Sequence, residues 1–175
     1  SGASVERGRL RECAERYEEF WVNRLLSIEP VSVPLKRNEG AESNSTRRRR
    51  APFCAEKSAG EHEWRGDELF AGFLFWLARV SGMENFDLAY SSSRIERALA
   101  AEGELSRRLP FHAAFDLRQG LEAGFASVRA ELAKISERGT WFREAASRHP
   151  ELRAMREGEL KLPVGVFVSD TQAEA

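Results

Sequence analysis

Three histidines, two cysteines and one run of arginines are the residues of this chain best suited to chemistry. His62 stands in Glu61-His62-Glu63, which would offer a metal three donors. Alternating residues on a loop point apart, however, and no second histidine stands at ligand spacing, so the sequence predicts no metal site. His112 falls in a predicted strand and is a candidate general base, but no partnered nucleophile accompanies it, and a structural histidine is the expectation. His149 sits near a predicted helix end, where the dipole favours its protonated ring without any functional role. Cys13 and Cys54 form neither a disulfide framework nor a CxxC knuckle and read as unpaired thiols in a reducing cytoplasm. Phosphate-loop, dinucleotide, HExxH and GxSxG motifs are all absent, and no cofactor is implied.

The run Arg47–Arg50 has the charge to contact phosphate. Glu39 and Glu42 flank it and no aromatic residues interleave it for base stacking, so a solvated loop is the reading and nucleic acid is not an expected partner. Of the four tryptophans, Trp64 and Trp141 stand at predicted helix starts and are expected to be partly exposed. Trp64, Phe111, His112 and Trp141, bulky or amphipathic groups near element ends, are the candidate interaction residues. Simple packing inside the fold is the alternative for each.

Composition narrows the field. At 175 residues with 42% hydrophobic content, the chain fits one globular domain with a real core. Its 27 basic and 28 acidic residues nearly cancel, which removes a global pull toward nucleic acid or anionic membrane. The longest apolar stretch, residues 69–80, falls short of the roughly 20 residues that span a bilayer. Without a charged-then-apolar leader at the start, a cytoplasmic location is expected.

The elements that must position these residues follow from periodicity. Leu10, Cys13, Tyr17, Phe20, Trp21 and Leu25 recur at three and four, predicting one helix over residues 5–27, stopped by Pro30. Residues 31–35 are a short extended piece. Residues 36–62 are polar and read as a mobile loop, with a brief strand at 52–55. Asp67 is a plausible N-cap for a helix reaching Val80, apolar around nearly its whole circumference and therefore expected to be buried on most sides. Gly82 ends it. Residues 86–90 alternate as a strand, Ser91–Ser93 break it, and 94–102 form a short helix. A second strand spans 109–117. Leu121, Phe125, Val128, Leu132 and Ile135 then mark one face of a helix ending at Gly139. Thr140 caps a further helix through His149, residues 162–168 form a strand, and 170–175 are a tail or linker. Alternating strands and helices predict an α/β fold, a two-layer sandwich of helices on a small mixed sheet within a single domain over residues 1–175.

Several of these segments resemble one family in order and spacing. Tyr17-Glu18-Glu19-Phe20-Trp21 through Pro34-Leu35 resembles the bridge that follows the catalytic half of a nonribosomal peptide synthetase condensation domain. Residues 69–82, ending Leu77-Ala78-Arg79-Val80-Ser81-Gly82, are similar to that family's central helix, and 86–91 to its next strand. Arg108-Leu109-Pro110-Phe111 through Asp116, with the 121–135 helix, resembles the following stretch. Gly139-Thr140 through Leu152, then Leu162-Pro163-Val164, is similar to a variant found before adenylation domains. Coverage runs from about residue 11 to 170.

The resemblance implies one lobe of an acyltransferase-like fold, the C-terminal half only. The family's HHxxxDG motif has no counterpart, because no two histidines are adjacent here. The segment 94–108 also departs from the family's floor loop, and the stretch after Arg138 is too short for its latching arm. The resemblance therefore implies a truncated, non-catalytic module that packs beside an adenylation domain of the same synthetase. The alternatives are a platform recruiting a tailoring enzyme in trans, or half of a split condensation acyltransferase.

Overall fold

The structure, a computed structural model, describes residues 2–33, 66–99, 103–152, 160 and 162–169. The expected loop over 36–62, the brief strand at 52–55, the tail at 170–175 and Trp64 lie outside the described residues. In chain order come helices α1 (Gly2–Arg16), α2 (Glu18–Leu26) and α3 (Gly66–Ser81), strand β1 (Asn85–Ser92) and helix α4 (Ser93–Ala98). Strand β2 (Leu109–Ala114), helices α5 (Leu121–Arg138) and α6 (Ala145–Arg148), a 3₁₀ turn (Pro150–Leu152) and strand β3 (Gly165–Val168) follow. The fold is mixed α/β, as expected, with helices around a small mixed sheet ordered β2-β1-β3.

Strand β1 is central. It runs antiparallel to β2, with Asp87 opposite His112 and Leu88 opposite Phe111, and parallel to β3, with Tyr90 beside Val166. Opposed residues of an antiparallel pair share a face. Phe86, Leu88 and Tyr90 therefore join Ala113, Phe111 and Leu109 on one side, where the ring of Phe70 from α3 lies 5.6 Å from Tyr90 and 5.0 Å from Phe111. Helix α5 packs on β2 and on α3. Phe86, Leu88, Leu109 and Phe111 are fully buried, and burying each such side chain stabilises the fold by about 1.5–3 kcal/mol. Pro110 is tolerated because β2 lies at a sheet edge, where the missing N–H need not serve the ladder on its outer side. Ahead of β3, the N–H of Val31 donates to the carbonyl of Asp87 and the N–H of Asp87 to that of Glu29, so residues 29–31 extend the pairing along the same edge of β1.

Several predicted boundaries are corrected. The helix expected over 5–27 is two helices, because Tyr17 adopts φ −111° and ψ 21° between α1 and α2. Beyond the break Trp21 is buried, and its Nε1–H donates to the Arg138 carbonyl at 3.3 Å, at the closing end of α5. Asp67 lies in the first turn of α3 rather than before it. Ser91 and Ser92 belong to β1, and the Ser92 hydroxyl accepts the N–H of Ile95 to start α4, which ends at Ala98. The strand expected to reach 117 stops at Ala114, and that expected over 162–168 begins at Gly165. Thr140 caps no helix. Its hydroxyl is buried and donates to the Ser106 carbonyl, leaving α6 as a single turn further on. The 121–139 reading holds: Phe125, Val128 and Ile135 are buried on α5, and Gly139 closes it with a positive φ.

Candidate interaction surface

Helix α3 divides into two apolar faces. Phe70, Ala71, Leu74, Leu77 and Ala78 are buried against the sheet and α5. On the other side Leu69, Phe73, Trp76 and Val80 remain 42%, 39%, 54% and 40% exposed. Spacings of four, three and four place those four residues on one stripe of the helix. Within it the rings of Phe73 and Trp76 lie 5.9 Å apart and tilted by 31°. The expectation that this all-apolar helix is buried on most sides is thus overturned. It packs as an outer layer, and an outer layer covers one face of a helix only.

The stripe is held firmly from behind. Arg129 of α5 donates to Asp67 at 3.0 Å and to Glu68 at 2.9 Å, clamping the first turn of α3. The hydrogen bond to Asp67, with the nearby carboxylate charges, holds the Arg129 guanidinium above its usual pKa. Further along, Phe75 stacks edge-on against Phe115 at 5.8 Å and carries the Arg79 guanidinium 5.0 Å from its ring centre. A rigid, aromatic-rich apolar stripe can supply hydrophobic binding free energy with little ordering cost.

A second arrangement is polar. Asp87, buried in β1, accepts the Glu29 N–H at 2.8 Å on one oxygen, and its other oxygen lies 3.2 Å from Nδ1 of His112. The His112 side chain is 42% exposed against 5% for Asp87. A carboxylate on Nδ1 orients the ring and leaves Nε2 outward, the posture of a general base. Among the described residues no hydroxyl or thiol is hydrogen-bonded to His112, so the dyad has the orienting half of a nucleophilic site without its nucleophile. What the pair does in the fold is plain: it joins β1, β2 and residues 29–31.

The residues singled out from sequence are not brought together. Trp64 lies outside the described residues. Phe111 is fully buried beneath α3, and Trp141, expected to be partly exposed, is buried as well. Phe111 and Trp141 thus follow the packing alternative that the sequence left open. His149 meets Glu18 at 3.2 Å and Arg148 meets the same carboxylate at 3.1 Å, which ties α6 to the start of α2. Among the described residues no group of three or more acidic, histidine or cysteine side chains is placed to hold a metal, and no helix is long and apolar enough to cross a membrane. The stripe on α3 was missed although its signal was present: the same excess of apolar residues that reads as burial also leaves a face to spare. Compared with known proteins, the chain matches no family model, no curated protein and no solved structure.

Proposed function

We propose that this chain is a non-catalytic interaction module of a nonribosomal peptide synthetase, and that the outer face of α3 docks on an adenylation domain of the same synthetase. The carrying observation is the stripe of Leu69, Phe73, Trp76 and Val80, four large apolar side chains left to solvent on one rigid helix. Such a contiguous patch favours a protein partner over exposure to water. The choice of partner rests on the resemblance to the second half of a condensation domain, in the variant form that precedes adenylation domains.

The test is calorimetry on the chain and the adenylation domain as separate proteins. Binding with a negative heat-capacity change is expected, because apolar area leaves water on docking. Trp76→Glu is expected to weaken binding by roughly tenfold or more, since an exposed aromatic anchor is replaced by a charge that must be desolvated. Arg118→Ala, on the exposed turn between β2 and α5 and outside the stripe, is expected to leave it unchanged. An adenylation domain that fails to bind, or that binds Trp76→Glu equally well, defeats this reading and directs the search to a tailoring enzyme acting in trans.

A further inference from the structure

We propose that the pocket bounded by Arg107, Arg108 and Arg143 binds a small phosphomonoester. The pocket lies between the stretch entering β2, Glu96 of α4, Arg143 and Leu160, and encloses about 410 Å³. Its side chains include three guanidinium groups and one carboxylate, Glu96. The whole chain carries a net charge of −1, so this positive excess is a local feature and not a reflection of a basic protein. Acidic neighbours just beyond the rim are engaged elsewhere: Glu104 pairs with Arg11 at 3.1 Å, and Glu144 with Arg148 at 3.6 Å.

Two of the arginines are fixed in place. Arg107 donates to the Leu99 carbonyl at 3.0 Å and lies 3.5 Å from Glu96. Arg143 donates to the Gly103 carbonyl at 3.3 Å. Arg108 differs from both. It is exposed, and among the described residues its guanidinium has no hydrogen-bond or ion-pair partner. The backbone beneath it is stitched down. The Ser106 hydroxyl donates to the Arg108 carbonyl at 2.8 Å, and the Ser106 N–H donates to the Trp141 carbonyl at 2.9 Å. The Arg143 N–H donates to the Glu104 carbonyl at 2.8 Å. The backbone of this wall and two of its three guanidinium groups are therefore held before any ligand arrives, which limits the entropy lost on binding.

Charge and size choose the ligand class. Among the described lining residues, three cations and one anion leave an excess of two positive charges, which a phosphomonoester, close to −2 at neutral pH, compensates and a monocarboxylate does not. Guanidinium forks match phosphate oxygens in paired hydrogen bonds. Among the described residues no aromatic ring lines the pocket to stack on a base, which disfavours nucleotides and nucleic acid. The volume lies within the range of about 300–1,000 Å³ typical of small-molecule sites and exceeds what a bare phosphate fills. This site stands apart from the α3 stripe, and its fate does not depend on the docking role proposed above.

The experiment is a calorimetric titration of glycerol 3-phosphate into the full chain at fixed ionic strength, with inorganic phosphate and succinate titrated alongside. Saturable binding of glycerol 3-phosphate is expected, tighter than that of either comparison anion. Arg108→Ala is expected to weaken it by roughly tenfold or more, the loss of one charge-assisted hydrogen bond. Arg108→Lys, which keeps the charge but not the fork, is expected to restore part of that loss. Arg118→Ala should bind as the parent does. Because Arg108 is exposed, its variants should retain the parent circular dichroism spectrum, so lost binding is separable from lost folding. Absence of saturation, unchanged affinity in Arg108→Ala, or equal or tighter binding of succinate or inorganic phosphate would overturn the assignment.

Discussion

Arg24 and Glu131 show how much a single pair can demand of its surroundings. Their side chains are 13% and 6% exposed and form an ion pair between α2 and α5, with Lys134 adding a second cation 3.3 Å from Glu131. Nε of Arg24 is buried with no hydrogen-bond partner among the described residues, so the pair is incompletely satisfied. Removing one partner strands the other charge in a poorly solvated place. Arg24→Ala should therefore cost about 3 kcal/mol in urea unfolding, and the double variant with Glu131→Ala should cost less than the two singles summed. Additive losses would mean that the pair is not coupled. Glu6 behaves differently because it is nearer solvent. Its hydrogen bond from Arg9 holds the carboxyl below its ordinary value of 4.5 against the opposing effect of burial, with the Arg94 charge helping. A depressed folded pKa means that the stabilisation is fully present above the unfolded value and fades as pH falls through the folded one. Glu6→Gln should thus lose up to about 1 kcal/mol near neutrality, and the difference from the parent should vanish on acidification below the folded pKa. A gap that persists at low pH would assign the loss to packing.

Two glycines that close helices carry nearly the same φ but different surroundings. Gly82 at +70° ends α3 with open space where a Cβ would stand, while Gly139 at +67° ends α5 with Cys13 Cβ only 2.9 Å from that point. At Gly82 only the left-handed backbone penalises a side chain, so Gly82→Ala should cost about 1 kcal/mol. Gly139→Ala adds a collision with α1, and the ψ of −121° at Gly139 lies outside the left-handed helical region, so it should lower the melting temperature clearly further. Equal losses would show that neither the collision nor that backbone geometry adds a cost. The pair also marks what sequence carries about elements. Glycine after an apolar run signals a helix end through φ alone, and both ends were legible for that reason. That Gly139 is also the contact point of α1 depends on where another helix lies, and no spacing within 121–139 encodes it. The same divide applies to the candidate site. The four, three, four recurrence of Leu69, Phe73, Trp76 and Val80 is written in the sequence, but whether a layer covers it is settled by the count of packed elements. Tyr17 shows the reverse case: local periodicity continues through it, and the break between α1 and α2 has no mark in the spacing. Arg143 is far in sequence from the adjacent Arg107 and Arg108, and only the pairing of 103–108 with 140–143 gathers the three.

At the scale of the molecule, the buried residues form one cluster that includes Leu10 of α1, Trp21 of α2, Phe70 of α3, Leu88 of β1, Phe111 of β2, Val128 of α5 and Trp141. The two N-terminal helices reach it through Leu10, Ala14, Trp21, Val22 and Leu25. They are also tied to α4 and α5 by surface bonds, including Arg7 to the Ala98 carbonyl and Arg9 to the Ser136 carbonyl. A shared core makes the helices and the sheet depend on each other, so one cooperative transition is the expected outcome. Tryptophan fluorescence, to which buried Trp21 and Trp141 contribute, should then lose its native signal at the same urea concentration as the far-ultraviolet circular dichroism. Trp21→Ala should lower both midpoints together, by an amount corresponding to about 3–5 kcal/mol for an emptied aromatic site. If the fluorescence change precedes the circular dichroism change, α1 and α2 form a separate folding unit, and Trp21→Ala should then leave the later transition where it was. The outcome bears on the proposed docking as well. A stripe on α3 presents a fixed surface only while the sheet and α5 beneath it stay packed, so a cooperative molecule keeps that surface intact until the whole fold is lost.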